Sequence, residues 1–150
     1  ATDLAGVTEA RPGNYVFFDR TMVLIGCCTP EDVGVTVLTS VVSHQPDGDH
    51  FVVDAGALAL SKDTGPSHVE TPPIFGTVAG HPDLVVSALS QEHGIIRAPT
   101  AADALVGRFP VGERLEIVPN HSCLTVAHFD HYQVMRDGRR VGRWPIARGR

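Results

Sequence analysis

The chain has 150 residues, 43% of them hydrophobic, and a formal charge of −5 at neutral pH. This length suits one domain, residues 1–150, around a single core, and the acidic balance excludes the broad basic face of a nucleic-acid binder. No apolar run approaches the roughly 20 residues that span a bilayer, and three cysteines do not make a disulfide framework.

Taken in order, residues 8–14 carry turn chemistry at Pro12-Gly13. Tyr15-Val16-Phe17-Phe18-Asp19 then reads as a strand, and residues 21–26 as a second, before Cys27-Cys28. Pro30-Glu31-Asp32 suits a single helical turn, because proline is tolerated at a first helical position. Residues 33–43 form the longest β-branched run. Val35, Val37, Thr39 and Val41 fall on one face and Thr36, Leu38, Ser40 and Val42 on the other, and both faces are expected to be at least half buried. Residues 45–49 read as a hairpin turn that returns the chain through His50-Phe51-Val52-Val53.

Residues 55–60 suit either a short helix or an extended connection. Residues 61–82, rich in Gly, Pro and Thr, read as a long surface excursion. Strand character resumes at 84–89 and at Ile95-Ile96, and 100–105 suits a helical turn. Further strands are expected at 114–118, 123–128, 131–136 and 140–144, with Asp137-Gly138 as a type I′ hairpin turn. About ten short strands with no long amphipathic helix predict an all-β fold, one antiparallel barrel or sandwich.

The most informative stretch is Pro119-Asn120-His121-Ser122-Cys123. On a strand, side chains two apart share a face, with Cβ atoms about 6.5–7 Å apart. Imidazole and thiolate there could share a zinc ion at bond lengths of about 2.0–2.1 and 2.3 Å. Taken alone, a histidine near a cysteine is more often plain core packing than a metal site.

Five short motifs in a fixed order carry a wider likeness. They are the segment 8–19; Val53-Asp54-Ala55-Gly56 with Ala59-Leu60-Ser61; Ser90-Gln91-Glu92-His93-Gly94; 118–123; and Trp144 with Ala147-Arg148-Gly149. Through them the chain resembles the C-terminal domain of the D-threonine aldolase and D-serine dehydratase family, the alanine racemase-like pyridoxal-phosphate enzymes. The resemblance implies an N-terminal (β/α)₈ barrel that holds pyridoxal phosphate on a lysine, and a C-terminal β domain that supplies metal ligands. It puts His121 and Cys123 at the ligand positions. Where the aldolases have aspartate, this chain has Cys123, and thiolate favours zinc over manganese or magnesium. The residues of this chain supply no such barrel, so pyridoxal phosphate is expected only through it.

The chain is therefore expected to be the metal-binding domain of a lyase acting on D-hydroxy-amino acids, inactive alone, cytoplasmic, homodimeric and without nucleic-acid or membrane partners. The competing reading is a non-catalytic β module for dimerisation or small-ligand binding. Lys62, the only lysine, reads as solvated rather than as a Schiff-base residue. His93 suits a ligand-orienting role or a turn equally. Asp54 and Asn120 are expected to serve turns, His128 and His131 to be exposed, and Cys27 and Cys28 to pack in the core. The basic C-terminal cluster, Arg136 to Arg150, is expected to be a solvated face.

Overall fold

Burial along residues 37–44 shows how the chain closes on itself. In β1 (Val37–His44) Val37, Thr39 and Val41 are buried while Leu38 is 62% exposed. That period of two marks a strand with one face on a core and the other toward solvent. The expectation that both faces would be at least half buried is thus corrected: β-branched content alone does not reveal the outer wall of a barrel.

The computed structural model describes residues 4–44, 49–66, 68, 73–98 and 108–147. After β1 come β2 (His50–Val53), α2 (Ala57–Leu60), β3 (Gly76–Val78), β4 (His81–Leu89), β5 (Gly94–Arg97) and β6 (Arg114–Pro119). Then follow α3 (Ser122–Val126), β7 (His131–Arg136) and β8 (Arg139–Pro145), while α1 (Arg20–Leu24) and a 3₁₀ turn (Pro30–Asp32) precede β1. Six strands close in the order β1-β2-β5-β4-β3-β6, with every neighbour antiparallel. Closure removes free edges, so backbone donors are satisfied around the ring. Phe51, Val53, Leu84, Val86, Ile96 and Ile117 fill the interior, each with 0% exposure.

The all-β expectation holds at the level of class, with eight described strands in place of about ten: six in the barrel and two in a separate hairpin. Asp137 (φ +49°) and Gly138 (φ +72°) both take positive φ at the β7–β8 turn, as a type I′ geometry requires. Residues 45–48 and 100–105, expected as a turn and a helical turn, lie outside the described residues, apart from Asp49.

Three expected strands are not strands. Residues 15–19 are irregular: Phe18 has φ +54°, which interrupts extension, and Tyr15 and Val16 are 60% and 68% exposed. Residues 21–26 fall largely in α1, where the Asp19 side chain accepts the Met22 N–H at 3.1 Å as an N-cap. Residues 123–128 fall largely in α3. Short apolar runs do not separate helix from strand by period, and capping contacts decided both cases. Residues 55–60 resolve in favour of the short helix, α2. The surface excursion hides β3, which bridges β4 and β6 through Thr77↔Val85 and Thr77↔Val118.

Candidate metal centre

β6 ends at Pro119, and the next four residues build the site. Asn120 is 1% exposed and anchors its surroundings. Its Nδ2 donates to the carbonyls of Asp63 at 2.9 Å and Ile74 at 2.5 Å, while its Oδ1 accepts from Arg20 at 3.2 Å. Its carbonyl accepts the Thr21 hydroxyl at 2.7 Å. Asn120 is therefore a buried hub joining α1, the 61–65 loop and the lead-in to β3, rather than a turn residue.

The start of α3 is held from far away in sequence. Ser122 N–H donates to Asp19 Oδ2 at 2.9 Å, the same carboxylate that caps α1. Ser122 Oγ donates to Asn14 Oδ1 at 2.7 Å, and Asn14 Nδ2 returns to Asp19. One buried carboxylate, 1% exposed, thus fixes two helix starts. Farther along α3, Thr125 Oγ1 donates to the Leu60 carbonyl at 3.2 Å, tying α3 to α2.

His121 and Cys123 flank Ser122 on this platform. The shared strand face expected for them is corrected: His121 keeps an extended backbone (φ −139°, ψ 104°) as the residue before the helix, and Cys123 lies inside it. The side chain of His121 is 41% exposed, and its Nδ1 stands 3.6 Å from Asp63 Oδ2. Cys123 is a free, exposed thiol. It lines an open depression of about 250 Å³ with Ser122 and Val126 on one side and residues 13–17 on the other. Tyr132 closes in behind, its ring 5.1 Å from Phe17. Burial first, and the Cys123 charge second, push the Tyr132 phenol above its ordinary range.

Among the described residues no three His, Cys, Asp or Glu side chains form a metal-holding group. A metal here would draw two protein donors from His121 and Cys123 and complete its shell otherwise, which is the open arrangement of a reactive rather than structural site. Imidazole and thiolate are donors suited to zinc. Asp63, Asp19, Asn14 and Tyr132 escaped the sequence reading. Only Asp19 carried a local signal, a capping-type residue just before a short apolar run.

The other candidates fall elsewhere. Asp54 accepts the Thr39 hydroxyl at 2.6 Å and the Ser40 N–H at 2.8 Å, stapling the end of β2 to β1. Burial alone would raise its carboxyl, but these bonds outweigh burial and hold it below the usual range. His93 sits in a turn closed by its own N–H to Ser90 Oγ at 3.2 Å, and both it and Glu92 are exposed. Gly56 lies so close to that turn that a Cβ would fall 2.4 Å from His93 N. The Val53–Gly56 and Ser90–Gly94 motifs therefore serve each other's packing. His128 is exposed, and His131 is half-buried with its Nδ1 2.9 Å from Arg143. Cys27 is exposed and Cys28 half-buried, contrary to the expected core placement, because they follow a surface helix rather than a barrel strand. Burial first, then Asp32, raises the Cys28 thiol, the opposite of an activated nucleophile.

Fold and site together define a small closed antiparallel barrel that presents an imidazole and a thiol just beyond its last strand. The family model described as "Putative serine dehydratase domain" matches residues 34–135, and the chain belongs to that family. It is 43% identical to the D-threo-3-hydroxyaspartate dehydratase of Delftia sp., over 99% of this chain and 41% of the relative. Against the D-serine dehydratase of Dictyostelium discoideum the identity is 38%, over 91% of this chain and 35% of the relative. The chain thus spans about two fifths of the length of these dehydratases. An uncharacterized protein of Mycobacterium tuberculosis, 35% identical, is matched over 93% of its own length. The solved Delftia dehydratase superposes with a TM-score of 0.86, covering 99% of this chain and 41% of that one. An alanine racemase-like protein of Idiomarina loihiensis superposes with a TM-score of 0.80 at 33% identity, covering 95% of this chain and 39% of that one.

Proposed function

We propose that the chain is the metal-binding β domain of a pyridoxal-phosphate-dependent lyase acting on D-hydroxy-amino acids, with His121 and Cys123 as zinc ligands. The observation that carries this reading is the pair itself, an imidazole and an exposed thiol flanking Ser122 on a platform locked by Asp19 and Asn120. Solved structures of the Delftia dehydratase support it. They include one variant with a histidine replaced by alanine, and another with a cysteine replaced by alanine in a metal-free form. Those two residues stand two positions apart in that enzyme, as His121 and Cys123 do here.

When bound, zinc supplies Lewis acidity toward a substrate hydroxyl, and pyridoxal phosphate, held by a barrel outside these residues, supplies an electron sink. This chain's own part is to hold and orient. The Asp19 and Asn14 contacts fix Ser122 between the two donors, so neither moves without straining the start of α3. Residues 13–17 wall the depression beside Cys123 and leave room for a small polar substrate.

Calorimetric titration with zinc tests the reading on the wild type, His121→Ala and Cys123→Ser. Each substitution should weaken binding at least tenfold, while Cys27→Ser leaves it unchanged. Cys123→Asp should shift preference toward manganese, since carboxylate is the harder donor. Equal zinc binding by wild type and both ligand variants would return His121 and Cys123 to a packing role.

A second reading, a β module without catalysis of its own, is favoured by the mycobacterial relative that the chain matches over nearly its full length. Zinc binding without any lyase activity when the chain is mixed with pyridoxal phosphate and D-amino acids accords with both readings. Activity under those conditions would exclude the second.

A further inference from the structure

We infer that Asp63 is the positioning residue for His121, holding Nδ1 so that Nε2 is the nitrogen offered to a metal. The inference rests on the zinc assignment of His121 and adds a residue outside the ligand pair. Asp63 Oδ2 lies 3.6 Å from His121 Nδ1, beyond hydrogen-bond length but close enough for the carboxylate to act electrostatically on the imidazole.

What distinguishes this contact from a chance neighbour is how firmly Asp63 is held. Its Oδ1 accepts the Gly65 N–H at 2.6 Å, and its own N–H donates to Ser61 Oγ at 3.2 Å. Its carbonyl accepts from Asn120, the residue directly before His121, at 2.9 Å. Ser61 takes φ +67° and Gly65 φ +71°, so the loop turns sharply at both ends of this contact. With Oδ1 engaged by the loop, Oδ2 is the oxygen turned toward the imidazole. The loop and the histidine are thus registered to each other through a single buried amide.

The chemistry follows from donor and acceptor inventory. At 3.6 Å the carboxylate's negative charge favours an N–H over a lone pair facing it, so a neutral His121 is favoured with its proton on Nδ1. Nε2 then presents its lone pair away from Asp63. Carboxylates behind metal-bound imidazoles commonly act this way, and losing one costs about 10–100-fold in metal affinity.

Asp63→Asn separates positioning from mere support. The amide oxygen can still accept from Gly65 N–H, so the loop persists. Its NH₂ then faces Nδ1 with a donor where the carboxylate had an acceptor, which favours the opposite tautomer. The experiment reads the imidazole nitrogens of His121 by ¹⁵N NMR in the metal-free chain, together with zinc affinity by calorimetry. Wild type should show the Nδ1–H tautomer. Asp63→Asn should show Nε2–H, an unfolding midpoint close to wild type, and zinc affinity lowered about 10–100-fold. An Nε2–H or mixed tautomer in the unmutated chain overturns the inference, whatever the variant does. So does unchanged zinc affinity in Asp63→Asn when His121→Ala has lost it. If His121→Ala binds zinc like wild type, the metal assignment fails instead, and the tautomer measurement still judges Asp63.

Discussion

Asn120 shows at the residue scale how a polar side chain can be structural and still serve a site. It satisfies two carbonyls from segments 57 and 46 positions away, one of them that of Asp63, whose side chain faces His121. Alanine there would leave the buried Ile74 carbonyl without this donor, at about 1–3 kcal/mol, and the half-buried Asp63 carbonyl at less. Asn120→Ala should therefore lower the urea midpoint strongly at an unchanged m-value. A surface Pro-Asn turn would lose less than about 0.5 kcal/mol. A small loss would return Asn120 to the turn role that its sequence context suggested. The same substitution frees the Asp63 loop, so zinc affinity should fall with stability. At this scale the motif around residues 118–123 was legible through family likeness, because His121 and Cys123 stand two positions apart in one short contiguous run. Asp63 was not legible, since nothing in Ser61-Lys62-Asp63 says which way a loop carboxylate will point.

At the scale of elements, the barrel closes where β3 meets β6, and a glycine makes that meeting possible. Gly76 has φ +147°, and a Cβ there would lie 2.7 Å from the Val118 carbonyl oxygen, on the strand that leads into the site. The obstacle is backbone inside a closed ring, so it cannot swing aside. Gly76→Ala should cost about 1–3 kcal/mol from strain at that φ and the enforced shift of β6. Gly13→Ala, with nothing within 4 Å, is the matched control and should stay within about 0.5 kcal/mol of wild type. Thermal melts of the two variants check this, and equal midpoints would mean that β6 yields freely. The strands β1, β2, β4, β5, β6, β7 and β8 were foreseeable because alternation or β-branched runs mark them. β3 was not, because Gly-Thr-Val is too short to carry a period. α1 and α3 were misread for the complementary reason: their apolar residues suit either state, and Asp19 settles both from one place.

For the whole molecule, the question is what this barrel can do without further chain. Lys62 is exposed, in a loop whose neighbour Asp63 is committed to Gly65 and His121. A solvated amine has no enclosing site to select a cofactor or hold its phosphate. Incubation with pyridoxal phosphate, borohydride reduction and mass spectrometry should show no stoichiometric adduct at a single site. A full adduct on Lys62 would mean that the 61–65 loop forms a cofactor site of its own. Among the described residues no helix is long and apolar enough to cross a membrane. Family membership is shown by the match over residues 34–135. The dehydratases extend well beyond the matched region, whereas the mycobacterial relative hardly does.

By itself the sequence determined the all-β class, most strand positions, the type I′ turn at Asp137-Gly138 and the family likeness. All of these are written in local periods, turn residues and short spacings. Only tertiary structure decided that His121 precedes a helix instead of lying on a strand, that Asp19 caps α1 and also holds the start of α3 103 residues further on, and that Asp63 faces the imidazole. Those outcomes depend on which polar groups meet once the barrel has closed. A buried carboxylate or amide takes its partner from whatever donors the fold delivers, however distant they are along the chain.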